Sequence, residues 1–110
     1  MKINSKALEK YLKDHPLRNE MSICLQAGVY FKNFLRAKEG TDLDAVLCCK
    51  LAGYMQMEID DLFVFDVKSE NDRFEVEKLK KDFKSYRERK FNYVEFVHNI
   101  NAKNSIIRFG

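Results

Sequence analysis

A chain of 110 residues with 45% hydrophobic and 34% charged side chains, four glycines and one proline has the size of one domain, or one domain with an extension, and a composition that excludes disorder as its default state. Its formal charge of +3 is unevenly placed: residues 1–66 carry 9 basic and 10 acidic side chains, and residues 67–110 carry 11 and 7. That balance is weaker than the basic excess of a dedicated nucleic-acid binder, no apolar run approaches the roughly 18 residues of a membrane span, and the polar start at residues 1–6 lacks the apolar stretch of a signal peptide. A cytoplasmic protein with no membrane contact is expected.

In chain order, Leu8, Tyr11 and Leu12 recur at helical spacing over residues 5–15, Ser5 is placed to accept from the first-turn N–H groups, and Pro16 forbids continuation. A second helix is predicted over residues 19–27, with Ile23, Cys24 and Ala27 on one side. Gly28 follows where a helix often ends in positive φ. The third runs from about residue 30 to 38, with Phe34 and Ala37 facing inward, Lys32, Asn33 and Arg36 facing outward, and Gly40 terminating it. Thr41 or Asp42 is expected to cap a fourth helix reaching Met55, whose stripe is Leu43, Val46, Leu47, Lys50, Leu51 and Tyr54. A short fifth over residues 57–63 closes the domain with Ile59, Leu62 and Phe63.

After a polar hinge at residues 68–71, Val76, Leu79, Phe83, Tyr86, Lys90, Tyr93, Val97 and Ile100 alternate steps of three and four, a heptad pattern. This stripe either forms the seam of a homodimer, with Lys90 fixing register, or packs on the chain's own N-terminal part. Alternatively, Asn92 and Glu95 open a separate helix as a capping box. The apolar tail Ser105, Ile106, Ile107, Arg108, Phe109 either adds a short strand or packs on the helices. The organisation expected is all-α: a five-helix domain over residues 1–66, then one long amphipathic helix, or two, over residues 67–110.

The three cysteines, Cys24, Cys48 and Cys49, are odd in number and lie among apolar neighbours, and the adjacent pair bridges only with strain. They read as reduced, small core residues. His15 and His98 lie far apart, and there is no CxxC, no HxxxH and no glycine-rich phosphate loop. No catalysis, metal or cofactor is therefore expected.

Ile23 and Cys24, Gly28 and Val29 at a turn, Phe34 facing inward, and Gly40 twelve positions after Gly28 form one ungapped pattern. A second stretch, residues 51–63, ends in Asp61, Leu62, Phe63. Together they make residues 19–63, about half the chain, resemble the lambda-repressor/Cro-like, or XRE-family, helix-turn-helix domain. The resemblance implies a second helix lying across the DNA backbone and a third inserted in the major groove. It nominates Tyr30, Phe31, Lys32, Asn33, Arg36 and Lys38 as contacts to double-stranded DNA. Arg36 would take guanine as a bidentate donor, Lys32 a base or phosphate, and Asn33 adenine; the rings of Tyr30 and Phe31 would lie on thymine methyls, and the Tyr30 hydroxyl would reach a phosphate. Glu20 departs from the pattern, standing where the family often has a glutamine that touches phosphate.

The function implied is a sequence-specific transcription regulator that binds a roughly palindromic site as a homodimer. A second reading keeps the fold as a protein-interaction module, an antirepressor or inhibitor, with Tyr30 and Phe31 in the contact. Lys32, Asn33 and Arg36 also read simply as a solvated helix face. The basic run Lys78, Lys80, Lys81, Lys84, Arg87, Arg89 and Lys90, interleaved with Glu75, Glu77, Asp82 and Glu88, is either a salt-bridged outer surface or a track for phosphates.

Overall fold

Asn4, one residue ahead of the expected cap, opens the first helix: its Oδ1 accepts from the N–H groups of Lys6 and Ala7 at 3.1 and 3.3 Å. In this computed structural model the described residues are 1–40 and 44–103, with side chains described as far as residue 89. Among them the chain runs β1 (Lys2–Ile3), α1 (Ser5–Asp14), α2 (Glu20–Ala27), α3 (Phe31–Glu39), α4 (Ala45–Met55), α5 (Ile59–Leu62), β2 (Phe63–Val64) and α6 (Glu70–Lys103). The molecule is mostly helical, as expected, with one small sheet that was not.

The ends of the helices follow local chemistry. Asn19 and Ser22 cap α2 reciprocally, the Ser22 N–H donating to Asn19 Oδ1 at 2.8 Å and the Asn19 N–H to Ser22 Oγ at 2.9 Å. Gly28 then stops the helix at φ 76°, ψ 37°, a left-handed conformation in which a Cβ would be strained. For α4 the expected caps Thr41 and Asp42, with Leu43, lie outside the described residues. Asp44 is the cap in the structure, taking the Leu47 N–H at 3.1 Å. The inner face of α4 also differs from the predicted stripe. Val46 is exposed, while Leu47, Cys48, Cys49, Leu51, Ala52 and Met55 are buried. Helix α4 is packed by α2, α5 and α6, so partners on several sides select a broader face than a single stripe.

The predicted fifth helix is shorter than the expected residues 57–63. It spans Ile59–Leu62, and Phe63 leaves it in extended conformation to pair antiparallel with Ile3, as Val64 does with Lys2. The Asn4 N–H donates to the Leu62 carbonyl at 2.7 Å, extending this join. Strand pairing satisfies backbone groups that a longer helix would have bonded internally, and it buries Ile3 and Phe63 together. One core results, built around Phe34, Phe63, Ile3, Ile23, Leu51, Ile59 and Leu62. Among the described residues it contains no buried polar side chain.

Helix α6 runs unbroken through residues 92–95, so no second helix starts there. Its start is fixed by Ser69 Oγ, which accepts from the Asp72 N–H at 3.1 Å, and by Asp72 Oδ2, which accepts from the Lys68 N–H at 3.0 Å. The first half of the heptad stripe has an intramolecular partner. Leu79 and Phe83 are 1% and 3% exposed within the same core as the N-terminal helices, and Val76 and Tyr86 are half-buried. Four residues assigned to a dimer seam are thus wholly or partly covered by their own chain. The physical reason is that α4 presents an apolar face at contact distance, and an intramolecular surface carries no association entropy. The other expected seam residues, Tyr93, Val97 and Ile100, and Lys90 with them, have side chains outside the described residues, as does the apolar tail. The boundary at residues 66/67 therefore separates two chain segments that share one core.

Ion pairs rim this contact: Lys80 Nζ to Asp60 Oδ2 at 3.0 Å and Arg87 Nη1 to Glu58 Oε1 at 2.7 Å. Within the basic run, only Lys80–Glu77, at 3.8 Å, pairs along α6 itself among the described residues. The approach of α6 is also set by Gly53, where a Cβ would meet Tyr86 Cε1 at 3.0 Å. Gly53→Leu is expected to force Tyr86 away and lower stability by about 1–3 kcal/mol, read as a fall in Tm relative to the wild-type chain.

Candidate nucleic-acid interface

The nominated residues lie on the unit formed by α2, a three-residue turn and α3. The turn is held from both sides: the Val29 N–H donates to the Cys24 carbonyl at 2.9 Å, and Lys50 Nζ donates to the Gly28 carbonyl at 3.3 Å. Lys50, the polar interruption in the predicted α4 stripe, thus reaches across to the C-terminal end of α2, where the helix dipole favours a cation. Ile23 and Cys24 from α2, with Phe34 and Ala37 from α3, close the space between the two helices.

The six nominated residues divide once placed. Lys32 and Arg36, one turn apart on the exposed side of α3, take part in no ion pair among the described residues. Tyr30, at the start of α3, is 81% exposed. Asn33 is half-buried at the edge of this face. Phe31, expected to point outward, turns back instead, half-buried against the core with its ring 6.2 Å from that of Phe34 and 17° from parallel. Burying a phenyl ring against an adjacent apolar cluster removes more apolar area from water than leaving it outward, so Phe31 belongs to the scaffold. Lys38 is engaged by Glu20, Nζ to Oε2 at 2.6 Å, tying the last turn of α3 to the first turn of α2.

Two features of the surface escaped the sequence reading. Leu17, Met21 and Leu25, spaced by four along the approach to α2 and its outer side, are all exposed. The spacing was visible, since one short helix cannot bury these together with the Ile23, Cys24 and Ala27 face. The second is Arg18, which donates from Nη1 to the Tyr11 hydroxyl and lies over the Tyr54 ring at 5.1 Å, bracing the α1–α2 connection.

The chemistry of the remaining groups is quiet. Burial, then the nearby Glu20, pushes the Cys24 thiol up to about 11, and burial, then Cys49 and Asp44, pushes Cys48 up to about 12. Burial, then Asp82, also raises Cys49. All three cysteines are free and stay protonated near neutral pH, in keeping with a packing role. Among the described residues no three His, Cys, Asp or Glu side chains gather as metal ligands. Comparison of the chain with protein-family models, with curated proteins and with solved structures finds no match.

Proposed function

We propose that α2, the turn and α3 form a helix-turn-helix and that the protein is a DNA-binding transcription regulator, with α3 entering the major groove. The observation that carries this reading is the pair Lys32 and Arg36, exposed and in no ion pair among the described residues, on a short helix whose opposite face, Phe34 and Ala37, is locked in the core. A groove-reading helix needs that combination: rigid support beneath and unspent donors above. Arg36 supplies a planar fork suited to guanine O6 and N7. Lys32 reaches a base or a phosphate, and Tyr30 offers its hydroxyl to phosphate or its ring to a thymine methyl. The exposed Lys78, Lys81 and Lys84 of α6 add salt-dependent attraction that the nearly neutral N-terminal part lacks. A homodimer on a roughly palindromic site is part of the reading. Its seam is assigned to the pattern at Tyr93, Val97 and Ile100, because Leu79 and Phe83 are occupied within the chain.

The test is a salt titration against a mixed-sequence duplex. Affinity is expected to fall about tenfold or more between roughly 50 and 200 mM salt. Binding that is undetectable at every salt concentration, or indifferent to salt, removes the proposal.

A second reading has its own support. The exposed Leu17, Met21 and Leu25 beside exposed Tyr30 make an apolar margin suited to protein contact, as in an antirepressor or inhibitor of the same fold. That reading expects no duplex binding at any salt.

A further inference from the structure

We infer that the Glu20–Lys38 ion pair is a built-in competitor for DNA phosphate, holding the affinity of the α2–α3 unit below what its cations could deliver. The inference rests on the DNA reading above. Glu20 occupies the first turn of α2, where the positive end of the helix dipole favours an anion. In a helix-turn-helix this helix lies across the backbone, so its start is a place where phosphate would come. Glu20 puts a carboxylate there already. The same carboxylate holds Lys38 Nζ at 2.6 Å, with the two side chains 37% (Lys38) and 28% (Glu20) exposed, so water screens the pair only in part.

The pair acts twice against DNA. It withdraws one lysine from phosphate contact, and it sets a negative charge in the path of the backbone. A phosphate must break a short, charge-assisted hydrogen bond to recruit Lys38. Among the described residues Lys32 and Arg36 carry no such restraint, so they are free to bind phosphate or base while Lys38 is silent. Glu39, beside Lys38 in sequence, is exposed and makes no ion pair among the described residues. Removing its charge alters the local field without releasing a lysine, which makes it the control.

The experiment measures the salt dependence of binding to one mixed-sequence duplex. The proteins are the full wild-type chain, Glu20→Gln, Glu20→Ser, Lys38→Ala, the Glu20→Gln/Lys38→Ala double variant and Glu39→Gln. Glu20→Ser keeps a residue suited to a helix start and guards against a folding effect peculiar to one substitution. Both Glu20 variants are expected to bind several-fold tighter at low salt. Their plots of log affinity against log salt should steepen by about one, the signature of one added phosphate contact. Lys38→Ala alone should leave the wild-type slope unchanged, the double variant should return to it, and Glu39→Gln should not steepen it. An unchanged slope in both Glu20 variants, a slope already flattened by about one in Lys38→Ala, or an equal gain from Glu39→Gln overturns the inference while leaving DNA binding intact. Silence of all six proteins at every salt instead overturns the DNA reading on which it stands.

Discussion

Phe83→Ala lowers the free energy of unfolding by about 3–5 kcal/mol, and Leu79→Ala by about 2–5 kcal/mol, because each empties a site enclosed by the chain's own helices. Total stabilities near 5–15 kcal/mol make either loss a large share of the whole. Phe83 also carries the Arg87 guanidinium 5.3 Å from its ring centroid, so its removal loosens the Arg87–Glu58 pair as well. Lys84→Ala, on the exposed side of the same turn, is expected to stay within about 0.5 kcal/mol of wild type. Urea denaturation at two protein concentrations tenfold apart reads both quantities. A wild-type midpoint that rises with protein concentration while that of Phe83→Ala does not, with a loss under about 1 kcal/mol at the lower concentration, would mean that these residues serve a dimer seam rather than the intramolecular core.

Arg36→Ala is expected to cost about 1–3 kcal/mol of DNA affinity, roughly 5- to 150-fold, and to relax preference at a single base pair of a selected site. Lys32→Ala should weaken all sequences alike if it meets phosphate, reducing the salt slope by about one. Neither change should alter thermal stability by more than about 0.5 kcal/mol, since both side chains are exposed and outside any ion pair among the described residues. Selection of bound duplexes from a randomised pool, followed by competition assays on the variants, makes the comparison. An Arg36→Ala chain with wild-type affinity and preference would falsify α3 as the reading element, whatever else binds DNA.

The division between what could be read early and what could not follows the range of the forces involved. Gly28 and Phe34 were legible because their signals act within a few residues: a conformation without a Cβ penalty and an apolar period of 3.6. The same logic located α6 and its stripe. It did not reveal what the stripe covers, because periodicity reports that a face is apolar and is silent about its partner. Leu79 and Phe83 could have met a second copy equally well by pattern.

The site divides along the same line. Lys32 and Arg36 were identifiable as outward from their phase relative to Phe34, whereas Phe31 and Lys38, on the flanks of α3, were not. Their positions depend on a neighbouring ring and on a carboxylate eighteen residues earlier in the chain. Glu20 was suspected from its charge, but the cation it engages belongs to another helix.

By itself, then, the order of residues determined that the chain is mostly helical, which glycine ends the second helix, and which thiols are buried. Only the tertiary structure decided that Ile3 pairs with Phe63, that Val46 stays in water, that the long helix folds back on α4, and that Glu20 clasps Lys38. Each of those choices is a competition among contacts between segments remote in sequence. The winner is set by the surfaces brought within a few ångströms in space, which no local pattern records.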